Sequence, residues 1–93
     1  MKRAVSHTPA FVRAAKRLIK KHPRTNAALR ETLELLAADV SDPRLKTHKL
    51  KGQWDGCWSC SGGYDLRILF EFVGEGEEEY ISLLLVGTHD EVY

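Results

Sequence analysis

The feature that most constrains this fold is a change in apolar period at Pro43. Before it, apolar residues recur at helical spacing. After it, aromatic and β-branched residues alternate between glycines, a pattern that suits strands. Such a chain packs helices on a sheet. Its 93 residues supply one core, so a single domain over 1–93 is expected.

In the first half, Ala4 to Ser6 fits a short strand. Thr8-Pro9 then marks a helix start, with a hydroxyl at the N-cap and proline at the first helical position. From Pro9 to Lys21, Phe11, Val12, Ala15, Leu18 and Ile19 share one side, while Arg13, Lys16, Arg17, Lys20 and Lys21 take the other. His22-Pro23 ends this helix. Thr25 or Asn26 caps a second helix, in which Leu29, Leu33, Leu36 and Val40 share a face until Ser41-Asp42-Pro43 stops it. The two form a helical hairpin.

Three strands are expected in the second half. The first runs from Thr47 to Lys49 and continues through Asp55 to Cys60; the others are Tyr64 to Val73 and Tyr80 to Val86. Gly74-Glu75-Gly76-Glu77 reads as a hairpin turn that keeps Glu77, Glu78 and Glu79 in water. The expected class is α+β, a helical hairpin packed on a mainly antiparallel sheet of about four strands. In the second strand, Leu66, Ile68, Phe70 and Phe72 point towards the helices, and Asp65 and Arg67 point away.

The apolar run Ile81 to Val86 passes into Gly87-Thr88-His89-Asp90-Glu91-Val92-Tyr93. A buried strand that presents an imidazole, two carboxylates and a phenol beyond a glycine is a rigid mount for acid/base groups. Pairing with the preceding strand would bring Asp65, Arg67 and His89 to one rim. A second imidazole, His48, stands among Lys46, Lys49 and Lys51.

The net charge of +1 hides an asymmetry. Residues 1–51 carry thirteen Lys/Arg against four Asp/Glu, and residues 52–93 carry one against nine. The basic half suits a polyanion. No stretch approaches the roughly 20 apolar residues of a membrane span, and Met1-Lys2-Arg3 precedes no apolar signal core. A soluble cytoplasmic protein is expected. Cys57-x-x-Cys60 lacks the further ligands of a zinc site, so reduced thiols and no metal or cofactor are expected. Trp54 and Trp58 are read as packing beside the glycines, and His7 and His22 as helix-end residues without a catalytic role.

The pattern His48-x-Leu50-x-Gly52-x-Trp54-x-Gly56, then Asp65 ahead of an aliphatic strand, then Gly87-Thr88-His89-x-x-x-Tyr93 resembles the YafQ branch of the RelE/ParE toxin superfamily over nearly the whole chain. The resemblance implies a RelE-like fold and a toxin of a type II toxin–antitoxin system. It further implies a ribosome-dependent mRNA endoribonuclease, an mRNA interferase, whose partners are a cognate antitoxin, the ribosome and mRNA. His48, Asp65 and His89 match its catalytic positions, and Tyr93 matches an aromatic that orients the nucleotide.

The residue chemistry suits that class. Metal-free RNA cleavage needs a base for the 2′-hydroxyl, an acid for the departing 5′-oxygen, and positive charge around the phosphorane. We assign His89 as acid, His48 or Asp65 as base, and Arg67 as phosphate stabiliser. Arg13, Lys16, Arg17, Lys20, Lys46, Lys49 and Lys51, with Arg44, suit salt-dependent RNA attachment. The chain departs from the family pattern at Ser61, where a further histidine stands, and at Trp58 and Cys60, on the strand that carries lysines in the RelE branch. Two alternatives remain: a non-enzymatic ParE-like gyrase inhibitor, against which the paired imidazoles argue, and an antitoxin-binding module without catalysis.

Overall fold

The structure, a computed structural model, describes residues 3–63 and 65–93. Met1 and Lys2, and Tyr64 at the expected start of a strand, lie outside the described residues. The elements in chain order are β1 (Val5–His7), α1 (Pro9–Lys21), α2 (Thr25–Ala38), β2 (His48–Lys49), β3 (Trp58–Gly62), β4 (Leu66–Val73), β5 (Tyr80–Thr88) and α3 (His89–Val92). The strands form one sheet in the order β1-β5-β4-β3-β2. Among the described residues, only β1, which joins parallel to β5, departs from antiparallel pairing.

Helix α1 starts as expected. The Phe11 N–H donates to Thr8 Oγ1 at 3.2 Å, and the same hydroxyl donates to Leu83 O at 2.7 Å, tying the helix start to β5. Phe11, Ala14 and Leu18 form the buried stripe. Val12, expected in it, is 38% exposed, because the stripe is centred on 11-14-18 and leaves position 12 at its border.

Two expectations for α2 fail. Arg24 occupies the N-cap without a side-chain hydrogen bond, and Thr25, the first helical residue, donates back to His22 O instead of capping. The helix also ends at Ala38, since Asp39 turns extended and accepts the Ser41 N–H on its carboxylate. Val40 packs on the core from beyond the helix. Each helix is held mainly by the sheet, α1 on β5 and α2 on β3.

The sheet has five strands because the segment expected as one continued strand doubles back. Gly52 and Gly56 have φ of 72° and 90°, a conformation that side chains disfavour. Between them lies a 3-10 turn over Gly52–Trp54, and the Leu50 N–H donates to Cys57 O at 2.9 Å to close the loop. His48 thus pairs with Ser59, and Lys49 with Trp58. At the other hairpin, a 3-10 turn over Gly76–Glu78 replaces a simple turn, and Glu79 reaches Arg3 at 3.2 Å instead of staying free in water.

Between β4 and β5 the register shifts at Leu69/Phe70, so that Leu84 is the extra residue. The shift lets Ile81, Leu83 and Val86 all join Phe72, Phe70 and Ile68 under the helices. It also sets Gly87 opposite Arg67, on the other face. Towards the helices, Gly62 presses directly on Thr32 of α2.

Candidate active site

Strand alternation defines the site's floor. Leu66, Ile68 and Phe70 face the helices, so Arg67 and Leu69 face away. Their cross-strand partners follow them: Ser61 and Gly87 beside Arg67, Ser59 and Leu85 beside Leu69, and His48 beside Ser59. The register thereby gathers His48, Ser59, Ser61 and Arg67 on one face.

Helix α3 folds across this floor. A Cβ on Gly87 would stand 3.1 Å from Glu91 Cβ and 3.3 Å from Val92 Cγ2, so a glycine there lets the helix lie close. Its first turn is closed by a reciprocal cap: the Glu91 N–H donates to Thr88 Oγ1 at 3.4 Å, and the Thr88 N–H to Glu91 Oε1 at 3.0 Å. The Thr88 amide holds the Glu91 carboxyl below its usual range. Lys21 stands 3.7 Å from Glu91, linking the end of α1 to α3. Val92 is buried outside the main core, as is Leu69.

Tyr93 completes the arrangement. Its hydroxyl shares a hydrogen bond with Ser59 Oγ, and the His89 ring packs edge-on against the phenol with centroids 4.9 Å apart. Ser59 is thus the cross-strand neighbour of His48 and the anchor of the tyrosine beside His89. On His48, Nδ1 lies 2.9 Å from Lys46 O. A carbonyl can only accept, so Nδ1 carries the hydrogen, and the neutral ring keeps its lone pair on Nε2.

The expected rim of Asp65, Arg67 and His89 forms in part. Asp65, just before β4, accepts the backbone N–H of His89 at 3.3 Å. Arg67 donates from Nη1 to Leu66 O at 3.0 Å, and among the described residues it forms no ion pair with Asp65. A cleft of about 450 Å³ reaches Asp65 and Thr88 from the helix side, between Leu18, His22, Arg24 and Ala28.

Lys46, Lys49 and Lys51 are exposed around His48, whereas Arg13, Lys16, Arg17 and Lys20 are exposed on α1, in the layer across the sheet from it. Strand β2 lies at the opposite edge of the sheet from β1, three strands from β5, on which α1 packs. Cys57 and Cys60 are free thiols, and burial pushes Cys60 up to about 12. Trp58 packs edge-on against Phe72 at 5.5 Å. Sequence reading missed Ser59, which only the β2–β3 register connects to His48. No helix among the described residues is long and apolar enough to cross a membrane.

The fold has solved counterparts. Escherichia coli YafQ, from strain BL21(DE3), superposes with a TM-score of 0.78 at 16% identity over 99% of each chain. The toxin in the E. coli DinJ-YafQ toxin-antitoxin complex gives 0.75 at 17% identity, covering 100% of this chain and 99% of that one. A YoeB/ParE toxin from Agrobacterium tumefaciens gives 0.73 at 16% over 92% and 98%. At such identities the likeness is one of fold. No curated protein matches in sequence. A family model described as the bacterial toxin of type II toxin-antitoxin system, YafQ, matches residues 3–93. Spanning nearly every residue from β1 to Tyr93, that match makes this chain a member of the YafQ family of type II toxin–antitoxin toxins.

Proposed function

We propose that this toxin is a ribosome-dependent endoribonuclease that cuts mRNA and so inhibits translation in the cytoplasm. The observation that carries the reading is the placement of two histidines about Ser59: His48 is its cross-strand partner, and the His89 ring packs on the Tyr93 phenol that shares a hydrogen bond with its hydroxyl.

In this mechanism His48 Nε2 takes the proton of a ribose 2′-hydroxyl, and the 2′-oxygen attacks the adjacent phosphorus. His89, protonated, gives its proton to the departing 5′-oxygen. The products are a 2′,3′-cyclic phosphate and a free 5′-hydroxyl. His48 is preferred to Asp65 as base, since the Asp65 carboxylate is engaged with the His89 amide and supports that residue instead. Arg67 spends one N–H on Leu66 O and retains others for phosphate oxygens. Ser61, beside Arg67, can donate a hydrogen bond but neither takes up nor gives up a proton near neutral pH. Tyr93 orients the nucleotide.

The exposed cations of α1 and the β2 edge would hold ribosomal RNA, with salt-dependent affinity. As in the DinJ-YafQ assembly, a cognate antitoxin would bind this chain in a heteromeric complex. An acidic, partly apolar segment is suited to the cationic site.

The test is mapping of mRNA 5′ ends by primer extension in a translating extract, with wild-type protein and His89→Ala, with and without ribosomes. New in-frame cuts that need both ribosomes and His89 are expected. Folded protein that makes no cuts refutes the nuclease reading, and gyrase inhibition and antitoxin binding would then be assayed.

A further inference from the structure

We infer that Ser59 is a positioning residue, whose hydroxyl fixes Tyr93 and thereby sets where the His89 imidazole stands relative to His48. The inference rests on the endoribonuclease reading.

Helix α3 has only four residues, too few to persist by its own hydrogen bonds. The reciprocal cap, the Asp65 carboxylate on the His89 N–H and the close seat on Gly87 hold its start and middle. Beyond Val92, the side-chain tie of Tyr93 is to Ser59. The His89 side chain is 58% exposed and leans on the phenol ring. A phenol released from Ser59 would leave that imidazole free to change rotamer.

Ser59 suits the task. It is fully buried in β3, between β2 and β4, so its own place is fixed by strands on both sides. The residue paired with it on β2 is His48. One residue therefore refers both proton-transfer groups to the sheet, His48 through its backbone pairing and His89 through the hydroxyl that holds Tyr93. An acid and a base working on one phosphodiester must stay in register to within about an ångström, and a slip of that size can cost on the order of 10²-fold in rate.

The experiment compares single-turnover cleavage by wild type, Ser59→Ala, Tyr93→Phe, the double variant and His89→Ala. It also follows amide hydrogen exchange of Tyr93, whose N–H donates to His89 O. Ser59→Ala is expected to lower kcat on the order of 10- to 10²-fold with KM unchanged. Tyr93→Phe should do the same, and the double variant should be no worse than either alone. In Ser59→Ala the Tyr93 amide should exchange faster while the amides of β5 keep their protection. An unchanged kcat and unchanged Tyr93 exchange overturn the inference, as does a loss confined to KM. Should neither wild type nor any variant cut RNA, the nuclease reading fails, and unchanged Tyr93 exchange in Ser59→Ala would separately refute the anchoring role.

Discussion

Replacing Gly62 with alanine probes how closely α2 lies on the sheet. The added Cβ would stand 2.0 Å from Thr32 Oγ1, 2.8 Å from its Cγ2 and 2.9 Å from its Cβ. Thr32 is 3% exposed, and its hydroxyl donates to Ala28 O at 2.7 Å. Rotating the threonine would exchange one heavy atom for another and break that bond, so α2 must lift or β3 must shift. Overpacking of this kind costs about 1–3 kcal/mol. The gain from a stiffer unfolded chain offsets about 0.4–1 kcal/mol. We expect a net loss of about 1–2 kcal/mol, read as a fall of about 1 M in the urea midpoint with unchanged slope. Adding Thr32→Ala removes Oγ1 and Cγ2 but leaves the Cβ, so it should restore part of the loss. Because Gly62 faces the helices and His48 faces away, cleavage below the unfolding transition should be unaffected. A midpoint that stays or rises, or a Thr32→Ala cost that simply adds, would refute the close approach.

Other outcomes follow from the same geometry. At pH 8, with Cys60 pushed up to about 12 against an ordinary 9.0, alkylation followed by mass spectrometry should find Cys60 reacting about 10³-fold more slowly than an unperturbed thiol, on thiolate fraction alone. Cys57, raised mainly by partial burial, should also lag, and rapid labelling of Cys60 would contradict its burial. Since the Glu91 carboxyl is lowered in the folded protein, its contribution is present above its ordinary 4.5 and is lost as pH falls through the folded value. Protection of the Tyr93 amide should weaken in that acid window in wild type, and Glu91→Gln should abolish the dependence. Thr8→Ala should cost about 0.5–2 kcal/mol by removing the α1 cap, whereas Thr8→Ser should retain most of it; equal urea midpoints for the two would show the cap to be idle.

Legibility followed the range of the interactions. Thr8-Pro9 announced α1 because capping is settled within a few residues, and Leu66 to Phe72 announced β4 because alternation is local. The β2–β3 loop escaped because glycines within a β pattern fit a bulge as well as a reversal, and only the positive φ of Gly52 and Gly56 decides between them. The extra residue at Leu84 is likewise fixed by β4, not by the run Ile81 to Val86 itself. In the site, His48, Asp65 and His89 stand out by residue type and spacing. Ser59 does not, since its partner Tyr93 lies 34 positions away. The engagement of Asp65 with the His89 amide was also hidden, because a main-chain N–H leaves no mark in a sequence.

The parallel seating of β1 against β5 bears on how this molecule comes into being. Val5 aligns with Ile81 and His7 with Leu83, and the Thr8 hydroxyl reaches a carbonyl 75 positions further on. During synthesis the first strand and helix emerge before β5, the strand on which they dock. Until then Phe11, Ala14 and Leu18 have no sheet to cover. Long-range closure of this kind slows folding and makes it cooperative. A chain interrupted before β5 lacks the strand that seats α1 and, with it, the His89 on which the proposed cleavage depends.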